Sequence, residues 1–306
     1  MNEINVTMSK QTTYLLGILA TIVLGSLLYS KFCCKCCEPK DKTAPNTTKV
    51  NTDIESAFHL KGSDFEYNTE KNFNFSNNFF NHLEPVDANI NIGIEKLKTY
   101  FDKKPNGSLL ITGYCLTTEK NTSAFPNLGF ARANDVKNYF ISKGIPSNRF
   151  EINGEIKAAL TADNQTLVGP ITYAVSNDIV DTKGDDWNAL KEKITEDPLI
   201  LYFNTNQTEI NLTPEERQKI ADLSTYLDHV QNAKISCVGH SDSVGDRNIN
   251  IQLGKERADF AKEYLVKNGI NPERIEATSK GPDEPIADNL TPEGKAKNRR
   301  TVITLK

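Results

Sequence analysis

The feature that most constrains the fold is an internal repeat with a constant spacing of 253 − 128 = 125 residues. The chain reads LGFARANDVKNYFISKGIPSNRFE from residue 128 and LGKERADFAKEYLVKNGINPERIE from residue 253. Identical positions include Leu128, Arg132, Ala133, Tyr139, Gly144, Ile145, Arg149 and Glu151, which recur as Leu253, Arg257, Ala258, Tyr264, Gly269, Ile270, Arg274 and Glu276. A run of this length predicts two related domains, residues 58–178 and 195–306, joined by a linker at 179–194.

The order of elements in the second copy predicts its architecture. LILYF at 199–203 and AKISCVG at 233–239 are typical of strands. Thr213 before Pro214 is an N-cap signal for a helix that reaches about His229. A longer helix begins at Asn248 or Asn250 and ends at Gly269, and two strands follow, from Arg274 and in the final RRTVITLK. The order β-α-β-α-β-β predicts an α/β two-layer sandwich, and the repeat predicts two such sandwiches in tandem.

A long apolar segment precedes both copies. Residues 13–32 read TYLLGILATIVLGSLLYSKF, which as a helix reaches ~30 Å and predicts one transmembrane helix after a short N-terminus at 1–12. A cleaved signal peptide fits less well, because no small-residue cleavage site precedes Cys33. The span has no acidic residue or histidine, so we expect it to tether rather than conduct ions. Gly17, Thr21 and Gly25 share one face and permit a homodimer.

Residues 33–57 form a cysteine-rich juxtamembrane segment and a polar linker. Of Cys33, Cys34, Cys36 and Cys37, the pair Cys34 and Cys37 could coordinate a metal, or the cluster could accept acyl chains; because no histidine and no second cysteine pair follows, a metal is not expected and the role of the cluster stays unassigned. The two other cysteines, Cys115 and Cys237, stand alone in apolar runs, so a disulfide framework is not expected. The net charge of −4 gives no reason to expect nucleic-acid binding.

Three motifs of the second copy occur together in one known family. They are GHSD at 239–242, Asn250-x-x-Leu253-Gly254-x-x-Arg257-Ala258, and Asn298-Arg299-Arg300 before the last strand. The second copy resembles the OmpA-like peptidoglycan-binding domain family, which includes the C-terminal domains of OmpA, Pal and MotB. Two departures from the family pattern are Ser241 in place of threonine and Gly254 in place of serine.

The resemblance implies a ligand and a role for four residues. The ligand is meso-diaminopimelate of peptidoglycan, whose free end carries an ammonium and a carboxylate. Asp242 is implied to bind the ammonium and Arg257 the carboxylate, which suits the chemistry of an acid and a guanidinium on either side of a strand-to-helix turn. Asn250 would hold the loop or contact the peptide, and Arg300 would support the pocket.

The first copy lacks part of this set. Arg132 aligns with Arg257, but Leu116 or Thr117 stands in place of Asp242, and Phe125 stands in place of Asn250. An arginine without its acid does not complement a zwitterion. We therefore predict that the first copy is a degenerate OmpA-like domain that has lost the ligand and serves as a spacer or a protein-contact module.

Other kinds of site are weaker interpretations. Cys237, His240 and Asp242 could suggest a metal, but Cys237 alternates along a strand and is expected to be buried as a small hydrophobic residue. The sequence has no phosphate loop and no nucleophile beside a base at reacting geometry, so neither an enzyme, a cofactor nor a metal is expected.

These observations predict an inner-membrane protein of a diderm bacterium that passes the membrane once and tethers it to peptidoglycan. The alternative is a structural subunit of an envelope-spanning secretion or motility complex with its own protein partners. The lysines after the span, Lys31, Lys35, Lys40 and Lys42, favour a cytoplasmic C-terminal side. The wall-binding motif requires the opposite, and because the motif is more specific we expect the C-terminal domains to be periplasmic.

Overall fold

The computed structural model describes residues 56–177, 187–203 and 211–306. The predicted cytoplasmic N-terminus at 1–12, the predicted span at 13–32 and almost all of the segment at 33–57 lie outside these ranges. Within them, no helix has the length and apolar character needed to cross a membrane.

The first half, residues 56–177, is built on a five-stranded sheet. The strands of this half are β1 (Phe58–Lys61), β2 (Glu66–Thr69), β3 (Phe75–Ser76), β4 (Ser108–Leu116), β5 (Phe150–Lys157), β6 (Ala162–Asp163), β7 (Thr166–Leu167) and β8 (Ile171–Ser176). Its helices are α1 (Ala88–Lys103) and α2 (Leu128–Ser142). The main sheet has the order β2-β1-β8-β4-β5, and β3, β7 and β6 form a small separate sheet.

The second half, residues 187–203 and 211–306, is built on a four-stranded sheet with the order β11-β10-β12-β9. Its elements are α3 (Trp187–Glu196), β9 (Leu199–Tyr202), α4 (Pro214–His229), β10 (Ile235–His240), α5 (Arg247–Lys267), β11 (Ile275–Gly281), α6 (Pro292–Asn298) and β12 (Arg300–Leu305). The predicted α/β class is confirmed. The predicted order β-α-β-α-β-β is present from β9 onward, with α6 as an addition before the last strand.

The corresponding strands of the two halves have the same order but not the same sense. β10 pairs in parallel with β11 and antiparallel with β12, as β4 does with β5 and β8. However, β9 pairs antiparallel with β12, whereas β1 pairs in parallel with β8. In the first half, β2 and β3 lie between β1 and α1, and this additional chain lets β1 run in the opposite sense. That the halves are copies of one unit stays a prediction.

Both halves pack a helix closely on a strand through a pair of glycines. A Cβ at Gly113 would collide with the carbonyl oxygen of Gly129, and a Cβ at Gly239 would collide with that of Gly254. The close approach places the start of α2 against β4, and α5 at Gly254, about two turns from its start, against the last residues of β10. In the second half, this is where the predicted site residues lie.

Most of the local signals in the second half agree with the structure. Thr213 caps α4 in a capping box with Glu216, and Gly269 ends α5 with a φ of 89°. The predicted start of α5 at Asn248 or Asn250 is wrong. Asp246 is the N-cap, because its carboxylate accepts the backbone N–H groups of residues 248 and 249.

The predicted linker at 179–194 is only partly a linker. Residues 187–194 belong to α3, whose Ile194 is buried in the core of the second half. The ring of Trp187 stacks on His229 of α4 with 4.3 Å between ring centroids. The second half therefore begins at about residue 187 rather than 195.

The two halves lie in one compact unit and share a polar and apolar interface. Lys137 of α2 and Asp228 of α4 form an ion pair of 2.5 Å, with side chains 2% and 16% exposed. The backbone N–H of Ala124 donates to Oδ1 of Asn268 over 2.7 Å, and Phe125 is part of the second half's core. A separated second half would expose these groups to water, so the full chain is the form in which binding and stability are to be measured.

Candidate functional site

Asp242 follows β10 in the loop, residues 241–246, that leads into α5. Its Oδ1 accepts the backbone N–H of Val244 over 3.1 Å, which fixes the carboxylate within its own turn. Its Oδ2 accepts Nη1 of Arg299 over 2.9 Å. The side chains of Asp242 and Arg299 are 16% and 20% exposed, so this ion pair is partly shielded from water.

Arg257 lies on α5 beside the same loop. Its Nη1 donates to the carbonyl of His240 over 2.8 Å, and its guanidinium lies 6.0 Å from the ring centroid of Phe203. Burial lowers the pKa of Arg257, and the charge of Arg299 lowers it further, while Asp242 acts in the opposite direction. The hydrogen bond to His240 brings Arg257 to the chain two residues before Asp242, and Arg299, which contacts Asp242, is the third member of this charged group.

The two other predicted site residues are buried and hold the surrounding chain. Asn250 is 3% exposed and its Nδ2 donates to the carbonyl of Val244 over 2.9 Å. Arg300 is 4% exposed and its Nη2 donates to the carbonyl of Glu284 over 3.1 Å. These contacts fit the loop-holding role considered for Asn250 and the supporting role expected of Arg300.

Gly254, which departs from the family pattern, is required by the packing. A Cβ at this position would collide with the carbonyl of Gly239 and with Oγ of Ser279. The Ser279 hydroxyl donates to the carbonyl of Ile251 over 2.7 Å and accepts the N–H of Gly281 over 3.0 Å. A hydroxyl from β11 is therefore present in the space that a side chain at position 254 would occupy.

Sequence reasoning missed Arg299 as a site residue, although the Asn298-Arg299-Arg300 motif had been recognised. Arg299 lies between α6 and β12, and its side chain contacts Asp242, whereas the side chain of Arg300, the first residue of β12, is buried. Asn298 is fully buried and its side chain binds the N–H groups of Ile286 and Ala287 at 2.8 and 3.1 Å. The motif thus shapes the loop beside the site and supplies one of its cations.

Cys237 and His240 have properties of buried groups. Cys237 has no exposed surface, and burial raises the pKa of its thiol to about 12, which confirms the predicted burial. Burial and the charge of Arg300 lower the pKa of His240 to about 4, so the imidazole is neutral at pH 7. In the part of the chain that the structure describes, no three His, Cys, Asp or Glu side chains are grouped to hold a metal ion.

Arg132 of the first half forms a buried ion pair with an acid that the alignment of the two copies did not identify. The prediction that Arg132 lacks an acid is wrong: Glu119, in the turn after β4, forms an ion pair with it at 2.5 Å. The five N–H groups of Arg132 are matched by five hydrogen bonds, to Glu119 and to the carbonyls of Phe79 and Tyr114. Both charged side chains are inaccessible, at 0% and 1% exposure, so Arg132 has no donor left for a ligand.

Phe125, at the position of Asn250 in the alignment, is also explained by its surroundings. It has no exposed surface, and its ring lies 5.2 Å from the ring of Phe130. It contributes to the interface between the halves rather than to a ligand site.

Comparison with known proteins assigns the second half to a family. The model of the OmpA family matches residues 202–299. The chain is 40% identical over 94 residues to Outer membrane protein A of Bordetella avium, which covers 31% of this chain and 48% of that protein. It is 34% identical over 119 residues to the Peptidoglycan-associated lipoprotein of Buchnera aphidicola, covering 39% of this chain and 67% of that protein.

A third relative is the Peptidoglycan-binding protein ArfA of Mycobacterium bovis, 35% identical over 95 residues that cover 31% of this chain and 29% of that protein. The match to the Bordetella protein spans about half of its length. The match to the Buchnera protein spans 67% of its length. On this basis the chain belongs to the OmpA family, through the domain at residues 202–299.

Proposed function

We propose that the protein binds peptidoglycan non-covalently through the second half and ties it to the membrane through its N-terminal segment. The observation that carries the proposal is the charged group of Asp242, Arg257 and Arg299 on the domain that belongs to the OmpA family. Two relatives whose names refer to peptidoglycan support it. The proposed role is binding, not catalysis.

The chemistry of the site suits the free end of diaminopimelate. Asp242 offers a carboxylate for an ammonium, and Arg257 offers guanidinium N–H groups for a carboxylate. Both groups are partly buried, so their charges are less screened by water than those of a surface pair. The Nε of Arg299 and the Oγ of Ser241 are buried polar atoms without a partner among the described residues, and they add hydrogen-bonding capacity beside Asp242.

The full chain, solubilised in detergent, is expected to sediment with sacculi that contain meso-diaminopimelate, and free meso-diaminopimelate should release it. Sacculi whose stem peptides carry lysine are the matched control, because lysine lacks the second carboxylate. Equal retention on both kinds of sacculi would contradict recognition of diaminopimelate.

The first half is proposed to be a scaffold that does not bind the wall. Arg132 is fully engaged by Glu119 and two backbone carbonyls, and α2 contributes Lys137 to the interface with the second half. The alternative function, a subunit of a larger envelope complex, predicts that a stoichiometric partner co-purifies with the full chain from detergent-solubilised membranes.

The proposed orientation is a cytoplasmic N-terminus, one inner-membrane span at 13–32 and periplasmic domains. A reporter fused after Lys306 tests it. Alkaline phosphatase, which needs periplasmic oxidation, should be active, and a fluorescent protein that matures only in the cytoplasm should stay dark. Bright fluorescence without phosphatase activity would contradict both the orientation and wall anchoring.

A further inference from the structure

Arg299 occupies the carboxylate that is proposed to bind the ligand's ammonium. Its Nη1 contacts Oδ2 of Asp242 at 2.9 Å, while its Nε is buried and has no partner among the described residues. The backbone of Arg299 is fixed, because its N–H donates to Lys295 and its carbonyl accepts the N–H of Phe203. Rotation of the side chain alone would break the contact with Asp242 and leave β12 in place.

The charges around Asp242 are unbalanced. Two guanidiniums, Arg257 and Arg299, act on the one partly buried carboxylate of Asp242, while the other acid whose charge reaches Arg257, Glu256, is exposed and screened by water. The two guanidiniums repel each other: the pKa of Arg257 is lowered first by burial and then by the charge of Arg299. A carboxylate brought in by a ligand would relieve this repulsion.

We propose that Arg299 is an exchangeable internal counterion: it holds the ammonium position on Asp242 until a ligand binds, and then turns to the ligand's carboxylate beside Arg257. This inference rests on the proposed function, because it assumes that Asp242 and Arg257 receive a zwitterion. Arg299 then acts as a specificity-determining residue, since the release of its guanidinium from Asp242 is compensated only by a ligand that also supplies an anion.

The exchange explains how a small charged site could reject simple amines. An amine without a carboxylate would have to displace Arg299 and would leave two guanidiniums close together without a compensating anion. A ligand with both charges replaces each contact that it breaks. Selectivity for a zwitterion then follows from the competition between Arg299 and the ligand for Asp242.

The test compares two ligands with the same separation of amines. meso-Diaminopimelate carries two amines and two carboxylates, and cadaverine carries the same two amines without carboxylates. Binding of both to the full chain in detergent is measured by calorimetry for the wild type and for Arg299→Gln. We expect Arg299→Gln to bind meso-diaminopimelate about 10-fold more weakly and cadaverine about 10-fold more tightly than the wild type.

Two further variants make the result specific. Arg299→Lys keeps the positive charge and should still reject cadaverine. Arg247→Gln removes a positive charge from an exposed pair with Asp283 and should change neither affinity by more than about 2-fold. Circular dichroism confirms that each variant is folded.

The possible failures are distinguishable. Weaker binding of both ligands by Arg299→Gln, or no change in either, would overturn the exchange. If the wild type does not bind meso-diaminopimelate, the proposed function fails, and the cadaverine measurements still decide whether Arg299 competes for Asp242: a gain on Arg299→Gln supports the competition, and no gain overturns it.

Discussion

Replacing Asp242 or Arg257 by alanine is expected to weaken binding of the full chain to diaminopimelate-type sacculi by ~2–5 kcal/mol, about 30-fold or more. Each substitution leaves one charge of the ligand without its partner in a partly buried site. Asp242→Ala additionally leaves Arg299 without the carboxylate that it contacts at 2.9 Å. Sedimentation at a series of sacculus concentrations gives the change in affinity.

The control for this experiment is Asp283→Ala. Asp283 is also paired with an arginine, Arg247, but its side chain is 43% exposed and it is not a member of the group formed by Asp242, Arg257 and Arg299. Its loss should change the affinity by less than about 2-fold. Unchanged binding by both Asp242→Ala and Arg257→Ala would contradict the site assignment. Strong residual binding by the double variant would contradict the prediction that the first half does not bind.

The second large effect concerns stability rather than binding. Glu119→Ala is expected to lower the free energy of unfolding by ~3–5 kcal/mol, because it leaves the guanidinium of Arg132 buried without its counterion. Burial raises the pKa of Glu119, but the hydrogen bond and charge of Arg132 and two backbone N–H groups outweigh it, so the net pKa is lowered. Urea denaturation of the full chain followed by circular dichroism measures the loss.

An exposed ion pair provides the matched comparison. Asp259 pairs with Lys255 four residues earlier on α5, and their side chains are 45% and 42% exposed. Asp259→Ala should cost no more than ~0.5 kcal/mol. If Glu119→Ala costs as little as Asp259→Ala, the arginine of the first half is not held by a buried ion pair, and the explanation of its inaccessibility is wrong.

The contrast between Asp242 and Glu119 shows how far the sequence repeat could be used. Alignment of the two copies places Leu116 or Thr117 opposite Asp242, so the aligned position of the first copy has no acidic residue. In the folded chain, the turn after β4 brings Glu119 back to Arg132, where it also accepts the N–H of Leu116 at 2.8 Å. Alignment compares positions along the chain, whereas a turn can supply the same charge from a few residues further on.

Strands and helices with strong local signals were predictable, and contacts between elements were not. The N-cap at Thr213, the end of α5 at Gly269 and the burial of Cys237 follow from local chemistry. The pairing of Arg299 with Asp242 depends on how the junction between α6 and β12 packs beside the loop after β10, and these residues are 57 positions apart. The reversed sense of β1 likewise depends on the path of the chain between β1 and α1.

The most direct test of the central claim is a crystal structure of the protein with meso-diaminopimelate. The ammonium is predicted to lie within hydrogen-bonding distance of Asp242, and the carboxylate of the same end to contact Arg257. A well-defined ligand at another place, such as the cavity of about 420 Å³ between the halves that is lined by Asp228 and Arg274, would contradict recognition of peptidoglycan by the Asp242 site.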